Sequence, residues 1–152
     1  MPIPRPTTVW FAAVLALAAL RGSPGRAADE EAAVVRRLLD AQVESWNRKD
    51  LDGFLDGYQR GPGVVFQSGA ERFEGFEALR SRYRKTYQAE GREMGRLAFS
   101  GLDVVVLGPD AALARGRWQL LMSDGKRPGG LFTLILRKLP EGWRIIHDHT
   151  SS

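Results

Sequence analysis

The 152-residue chain has no cysteine, only two histidines, and no apolar run long enough to cross a bilayer. Without cysteine there is no disulfide framework, no thiol chemistry and no lipid attachment at a processing site. With His147 and His149 as the whole histidine complement, a zinc centre would need an Asp or Glu to complete it. Beyond residue 27 neither GxxxxGK[ST] nor GxGxxG occurs, so the usual phosphate-cradling loops are excluded. No serine stands in a GxSxG setting, which weighs against the usual hydrolase arrangement. Internal repeats and low-complexity segments are missing too. Whatever this chain does, it does with one domain and ordinary side chains.

What is present begins with an address. Arg5 is a positive flank, Val9 to Leu20 is an uncharged apolar run, and Gly25-Arg26-Ala27 places small residues at the −3 and −1 positions of a cleavage site. Residues 1–27 read as a secretory signal peptide, because twelve apolar residues fall short of the roughly 20 that span a bilayer. Export to the periplasm or medium is expected, with residues 28–152 as a single domain and no membrane attachment after processing. The formal net charge of +4 then misleads. Arg5, Arg21 and Arg26 leave with the leader, so 22 basic residues fall to 19 against 18 acidic. The mature chain has lost the basic balance that nucleic acid or an anionic membrane would call for.

Asp29 is a candidate N-cap with Glu30 and Glu31 at the positive end of a helix dipole. Val35, Leu39, Val43 and Trp46 recur at helical spacing, with Leu38 beside them. Asp50 is placed to cap a short second helix over 51–56, closed by Gly57 and the Gly61-Pro62-Gly63 loop. Val64 to Phe66 and residues 71–74 read as short strands around Ser68-Gly69. Phe76, Leu79, Tyr83 and Tyr87 mark a third helix ending near Gly91, with Arg80, Arg82, Arg84 and Lys85 as a solvated face. Extended segments follow over 97–107, 111–122, 130–138 and 142–150, joined by short turns that connect antiparallel neighbours. Three helices before a meander predict an α+β fold. Leu131 and Ile135 lie opposite Phe132, Leu134 and Leu136, so this strand is apolar on both faces. Helices cover one face of a sheet, and a second copy through the other predicts a homodimer.

The helix ending in Ser45-Trp46-Asn47, the stretch from Asp50-Leu51 to Tyr58, the Phe66 strand, the Tyr83 helix and the closing GWRIIHDHTS together resemble the nuclear transport factor 2-like superfamily. Within it, the chain is most similar to the small SnoaL-like, steroid-isomerase-like bacterial domains over about residues 30–152. The resemblance implies a cystatin-like cone: a strongly curved antiparallel sheet wrapped around three N-terminal helices, a pocket at the open end and a dimer through the sheet. It implies less about activity, since the superfamily includes isomerases, dehydratases, epoxide hydrolases, carrier proteins and association domains.

In the terminal strand, alternation sends Trp143, Ile145, His147 and His149 to one side and Arg144, Ile146, Asp148 and Thr150 to the other. In segment 111–122, Leu113, Arg115, Arg117, Gln119 and Leu121 share a face that is either solvated or lines a polar pocket; Ala112, Ala114, Gly116, Trp118 and Leu120 form the apolar one. Similarity to the kinase association domains of the superfamily puts a pocket arginine at Arg117 and the Asp148 side inward. On that reading Arg117 and Asp148 meet in the cone, with Gln119 nearby and Trp46, Tyr58 and Tyr83 as aromatic walls. A buried Asp148 is a candidate general base, with Tyr83 or Arg117 stabilising negative charge; the alternatives are ligand binding and a structural ion pair. The aromatic set Trp46, Tyr58, Phe66, Tyr83 and Tyr87 could line an apolar cavity, but aromatics at helical spacing also serve as plain core, and Phe66 fits that role. His147 and His149 read as a packed or interface pair rather than metal ligands. With one evident acid/base group, the expectation is a small-organic-molecule-binding cone without metal or cofactor, ahead of an isomerase or dehydratase and of a pure association module.

Overall fold

The computed structural model describes residues 24–151. Its elements are α1 (Pro24–Asn47), α2 (Leu51–Leu55), β1 (Val65–Ser68), β2 (Glu71–Glu74), α3 (Phe76–Tyr87), β3 (Arg96–Gly108), β4 (Ala111–Leu121), β5 (Gly129–Leu139) and β6 (Gly142–Thr150). One six-stranded sheet runs in the order β2-β1-β6-β5-β4-β3. It is curved and unclosed, with the helices on its concave side, so the α+β cone stands. The β1–β6 pair is parallel while the other pairs are antiparallel. Tyr58, just after α2, extends that parallel edge through a bridge to Ile145.

Helix α1 already runs through Pro24–Asp29, so Asp29 is an interior residue and not its N-cap. The Ala27–Ala33 stretch, rich in alanine and glutamate, sustains the helix there. Glu31 therefore serves no dipole. It binds Lys138, and it accepts from Trp143 Nε1 at 2.7 Å, tying α1 to the β5–β6 hairpin. The buried stripe of α1 is Val35, Leu39, Gln42 and Trp46, with Val43 only partly covered. Gln42 enters the core because its amide donates to Phe54 O at 2.9 Å. Asp50 caps α2 as expected, accepting from Gly53 N at 2.8 Å. Lys49, at φ 65°, carries the chain through the reversal between the two helices. Asn47 exchanges two hydrogen bonds with Leu97, 3.0 Å and 2.8 Å, and so pins the end of α1 to the start of β3.

Besides a register shift between Val106 and Gly108 beside the β3–β4 turn, two bulges interrupt the sheet. One lies between Ser100 and Asp103 in β3, where Gly101 adopts φ +59°. The other leaves Ile146 without a partner, because Leu136 pairs with Ile145 and the next residue, Ile135, pairs with His147. One extra residue reverses the alternation. Trp143 and Ile145 are buried on the concave face, and beyond the bulge Asp148 is buried on that same face. The expected grouping of Trp143 and Ile145 with the histidines is thus overturned: His147 and His149 lie on the convex face, opposite Ile135 and Thr133.

Gly116 makes a close approach on the concave face of β4. A Cβ there would sit 2.6 Å from Phe132 Cζ and 3.3 Å from Ser100 O. Gly116→Ala is expected to cost about 1–3 kcal/mol of unfolding free energy by forcing the Phe132 ring to move. Urea denaturation measures this, and a variant as stable as the wild type would mean that the ring yields freely.

Candidate functional site

The concave face and the three helices enclose a cavity of about 300 Å³. Its walls are mainly aromatic. Trp46 from α1, Phe54 from α2, and Tyr83 and Tyr87 from α3 pack edge-on or tilted, with centroid separations of 4.8–6.2 Å. Trp46 is held by donating to Met94 O at 2.8 Å. Phe66, Phe99, Trp118, Phe132 and Leu134 complete the sheet side.

At the β1–β6 edge of this apolar space stands Asp148, which is 3% exposed. The Tyr58 hydroxyl donates to its Oδ2 at 2.7 Å, and the Thr150 hydroxyl donates to its Oδ1 at 2.8 Å. Tyr83 extends the chain, its hydroxyl 3.4 Å from that of Tyr58. Loss of hydration pushes the Asp148 carboxyl up to about 6, against the two donors, which favour the charged form. Burial raises both tyrosines well above their ordinary range, and the Asp148 charge adds to it. The tyrosines therefore remain proton donors at neutral pH. Asp148 is the one group in the cavity set to exchange a proton there.

Of the residues expected at the site, Trp46, Tyr58, Tyr83 and Asp148 meet in the cavity. Arg117 and Gln119 do not. Both are exposed on the convex face of β4, where Arg117 pairs in register with Ser100 and Leu131. The polar side of that strand is the solvated one, and the apolar side, with Trp118 and Leu120, lines the cavity. No Arg117–Asp148 ion pair forms; the partners of the carboxylate are Tyr58 and Thr150. Arg117→Ala should accordingly leave ligand affinity within about twofold of wild type, a difference at the level of ordinary surface substitutions. Isothermal titration of any cavity ligand checks this, and a tenfold loss would contradict the convex placement.

Sequence reasoning missed Arg82, Gln42, Ser68 and Thr150, all of which line the cavity. Arg82 reads as part of the solvated run of α3, yet it follows Leu79 by three residues and so flanks the buried stripe. Its guanidinium lies 5.8 Å from the centre of the Phe73 ring. Tyr87 lines the cavity, and so does Phe66, whose packing role and wall role coincide. His147, on the convex side, is held below its usual range by burial and then by His149. No cluster of three or more metal-ligating side chains occurs among the described residues.

This fold is that of a known class. The family model of the SnoaL-like domain matches residues 35–152, and the chain belongs to that family. A nuclear transport factor 2-like protein of unknown function from Shewanella oneidensis is 30% identical, with a TM-score of 0.73 over 82% of this chain and 98% of that one. A ketosteroid isomerase-like protein from Erwinia carotovora shares the fold at 22% identity, TM-score 0.61, covering 81% and 96% of the two chains. So does a protein from Thiobacillus denitrificans described as a calcium/calmodulin-dependent protein kinase type II association domain, at 24% identity and TM-score 0.64, covering 75% and 90%. No curated protein sequence matches the chain.

Proposed function

We propose that the protein binds a small, predominantly apolar organic molecule in the cone, with Asp148 as its polar anchor. The observation that carries this reading is the pairing of an aromatic cavity of about 300 Å³ with one buried carboxylate. A volume at the lower end of ordinary ligand pockets, lined by rings and a few convergent polar groups, suits a compact molecule with one or two polar atoms. Binding ranks above catalysis because Asp148 is the one evident acid/base group among the lining residues.

A specific observation keeps the isomerase or dehydratase reading alive. The Asp148 carboxyl at about 6 is close to the working pH of a general base. In that role Asp148 takes a proton from carbon, and the Tyr83 hydroxyl, one hydrogen bond further along, stabilises the developing oxyanion. The likeness to a ketosteroid isomerase-like protein is compatible with this.

The assembly we infer is a dimer through the convex face. Leu107, Leu131, Leu121, Ile135 and Val105 are exposed there, and Leu113 lies in register between Val105 and Ile135. Val105, Leu113 and Ile135 form one apolar row across three strands, separated from Leu121 and Leu131 by Arg115, Arg117 and Thr133, and a second copy laid on that row would cover it. The export reading rests on residues 1–27, of which 1–23 lie outside the described residues. Recovery from the periplasm with Ala28 at the N-terminus tests it.

Native mass spectrometry of protein purified from its host reads the rest. A dimer carrying a defined extra mass, lost when Leu134→Trp fills the cavity, supports binding. An unliganded dimer whose Asp148 exchanges a substrate C–H for deuterium supports catalysis. A monomer would sink the convex-face assembly.

A further inference from the structure

Among the described residues, Arg82 and Asp148 are the only ionisable lining residues besides the tyrosines, and they stand at different depths. Asp148 pairs in register with Phe66, which is 6% exposed; two residues further out, Thr150 pairs with Ser68. Ser68 lies opposite Glu71 on the edge strand, and Glu71 is the carboxylate nearest Arg82, at 3.9 Å. Two residues along a strand span about 7 Å. Arg82 thus stands at the rim, one side-chain row outward from the carboxylate.

The condition of Arg82 is unusual for a rim cation. Its side chain is 24% exposed, and among the described residues its guanidinium donates no hydrogen bond. The contact to Glu71 is too long for one, and Glu71 itself is two-thirds exposed, so that pair holds Arg82 weakly. Arg82 lines the cavity while its guanidinium lies 5.8 Å from the Phe73 ring centre, and a planar fork of donors matches a carboxylate in geometry and charge. Neighbouring Ser68 adds a hydroxyl at the same level. The electrostatics agree: Arg82 acts on Tyr83 and Tyr87, while the groups acting on Asp148 are Tyr58, Thr150 and His149. The two charges are separated along the cavity, with the tyrosines between them.

We propose that the ligand is an amphipathic monoanion, a compact aryl or alkyl carboxylate whose acid group meets Arg82 at the rim. Its apolar body lies against Trp46, Phe66 and Trp118, and a hydroxyl or carbonyl at the far end meets Asp148 or Tyr58. This deepens the small-molecule reading and rests on it. A neutral ligand would leave the Arg82 fork with only the long Glu71 contact and the Phe73 ring; a dianion would bring its second charge against Asp148.

Isothermal titration with naphthylacetate and naphthylethanol tests the assignment, since the two differ in the acid group and share the ring. Wild-type protein is expected to bind the carboxylate roughly tenfold more tightly or better, the scale of a hydrogen bond between charged partners. Arg82→Gln should bring the carboxylate down to the affinity of the alcohol, and Arg82→Lys should retain part of the preference. An Arg82→Gln protein that keeps the full preference overturns the proposal, as does a wild type that favours the alcohol. If both probes bind equally and Leu134→Trp excludes both, the cavity reading stands and the anion assignment falls. If neither probe binds, both fall together.

Discussion

Asp148→Asn is expected to stabilise the protein at pH 8 and to leave it unchanged near pH 4. The folded carboxyl sits at about 6, above its ordinary value of 3.8. A group raised on folding stabilises most when protonated in both states, and that stability drains away as pH rises from the unfolded value through the folded one. For Asp148 the window runs from about 4 to about 6, and the loss amounts to on the order of 3 kcal/mol. Asparagine cannot ionise, so the variant avoids the whole loss. Its amide oxygen still accepts from Tyr58, and the Thr150 hydroxyl can turn to accept from the amide nitrogen. His147, whose titration range burial has lowered, contributes in the same region, but equally to both proteins. The difference between the two urea-unfolding curves, followed from pH 4 to pH 8, isolates Asp148. A variant that tracks the wild type throughout would place the carboxylate in water and remove its claim to be a poised acid/base group. The same substitution is expected to abolish any proton exchange with a bound substrate. A buried carboxylate that weakens the fold at working pH is the kind of cost retained where function needs it.

How far the chain could be read without coordinates follows from what kind of pattern each feature leaves. Helix α3 and the four long strands carry periodicity over many residues, and their limits fall within a few residues of the expected ones. Asp50 as a cap is a local chemical signal and was legible for that reason. The Ile146 bulge leaves no such mark, because one unpaired residue in a ladder changes no composition, yet it decides which half of β6 faces inward. Asp148 lies inward, and Trp143 and Ile145, on the other parity, are inward as well. Arg117 failed for a different reason. Its strand alternates cleanly between polar and apolar residues, and such alternation by itself describes a strand with one wet face. The expectation of a polar pocket came from the association-domain resemblance and overrode it. Arg82 was lost in a run of basic residues, where only its offset from Leu79 sets it apart from its neighbours.

Trp46→Ala is expected to cost about 3–5 kcal/mol of unfolding free energy, the range for removing a buried tryptophan. The indole is 2% exposed and touches the contributions of the other two helices to the wall: Phe54 at 5.0 Å, Tyr87 at 4.8 Å and Tyr83 at 6.2 Å between ring centres. It also donates to Met94 O, in the segment that leads into β3. Truncation removes the packing and leaves that buried carbonyl short of a donor, so two penalties add. Trp46→Phe keeps most of the packing and loses the hydrogen bond; its smaller deficit, about 1–3 kcal/mol, apportions the two. A typical domain has 5–15 kcal/mol in all, so the alanine variant approaches the margin of folding. Because Trp46 lines the cavity, ligand affinity should fall with stability in the alanine variant. A loss under about 1 kcal/mol on Trp46→Ala, the size of a surface substitution, would mean that the helices hold together without their shared ring. The aromatic cavity would then be a weaker structure than its geometry describes.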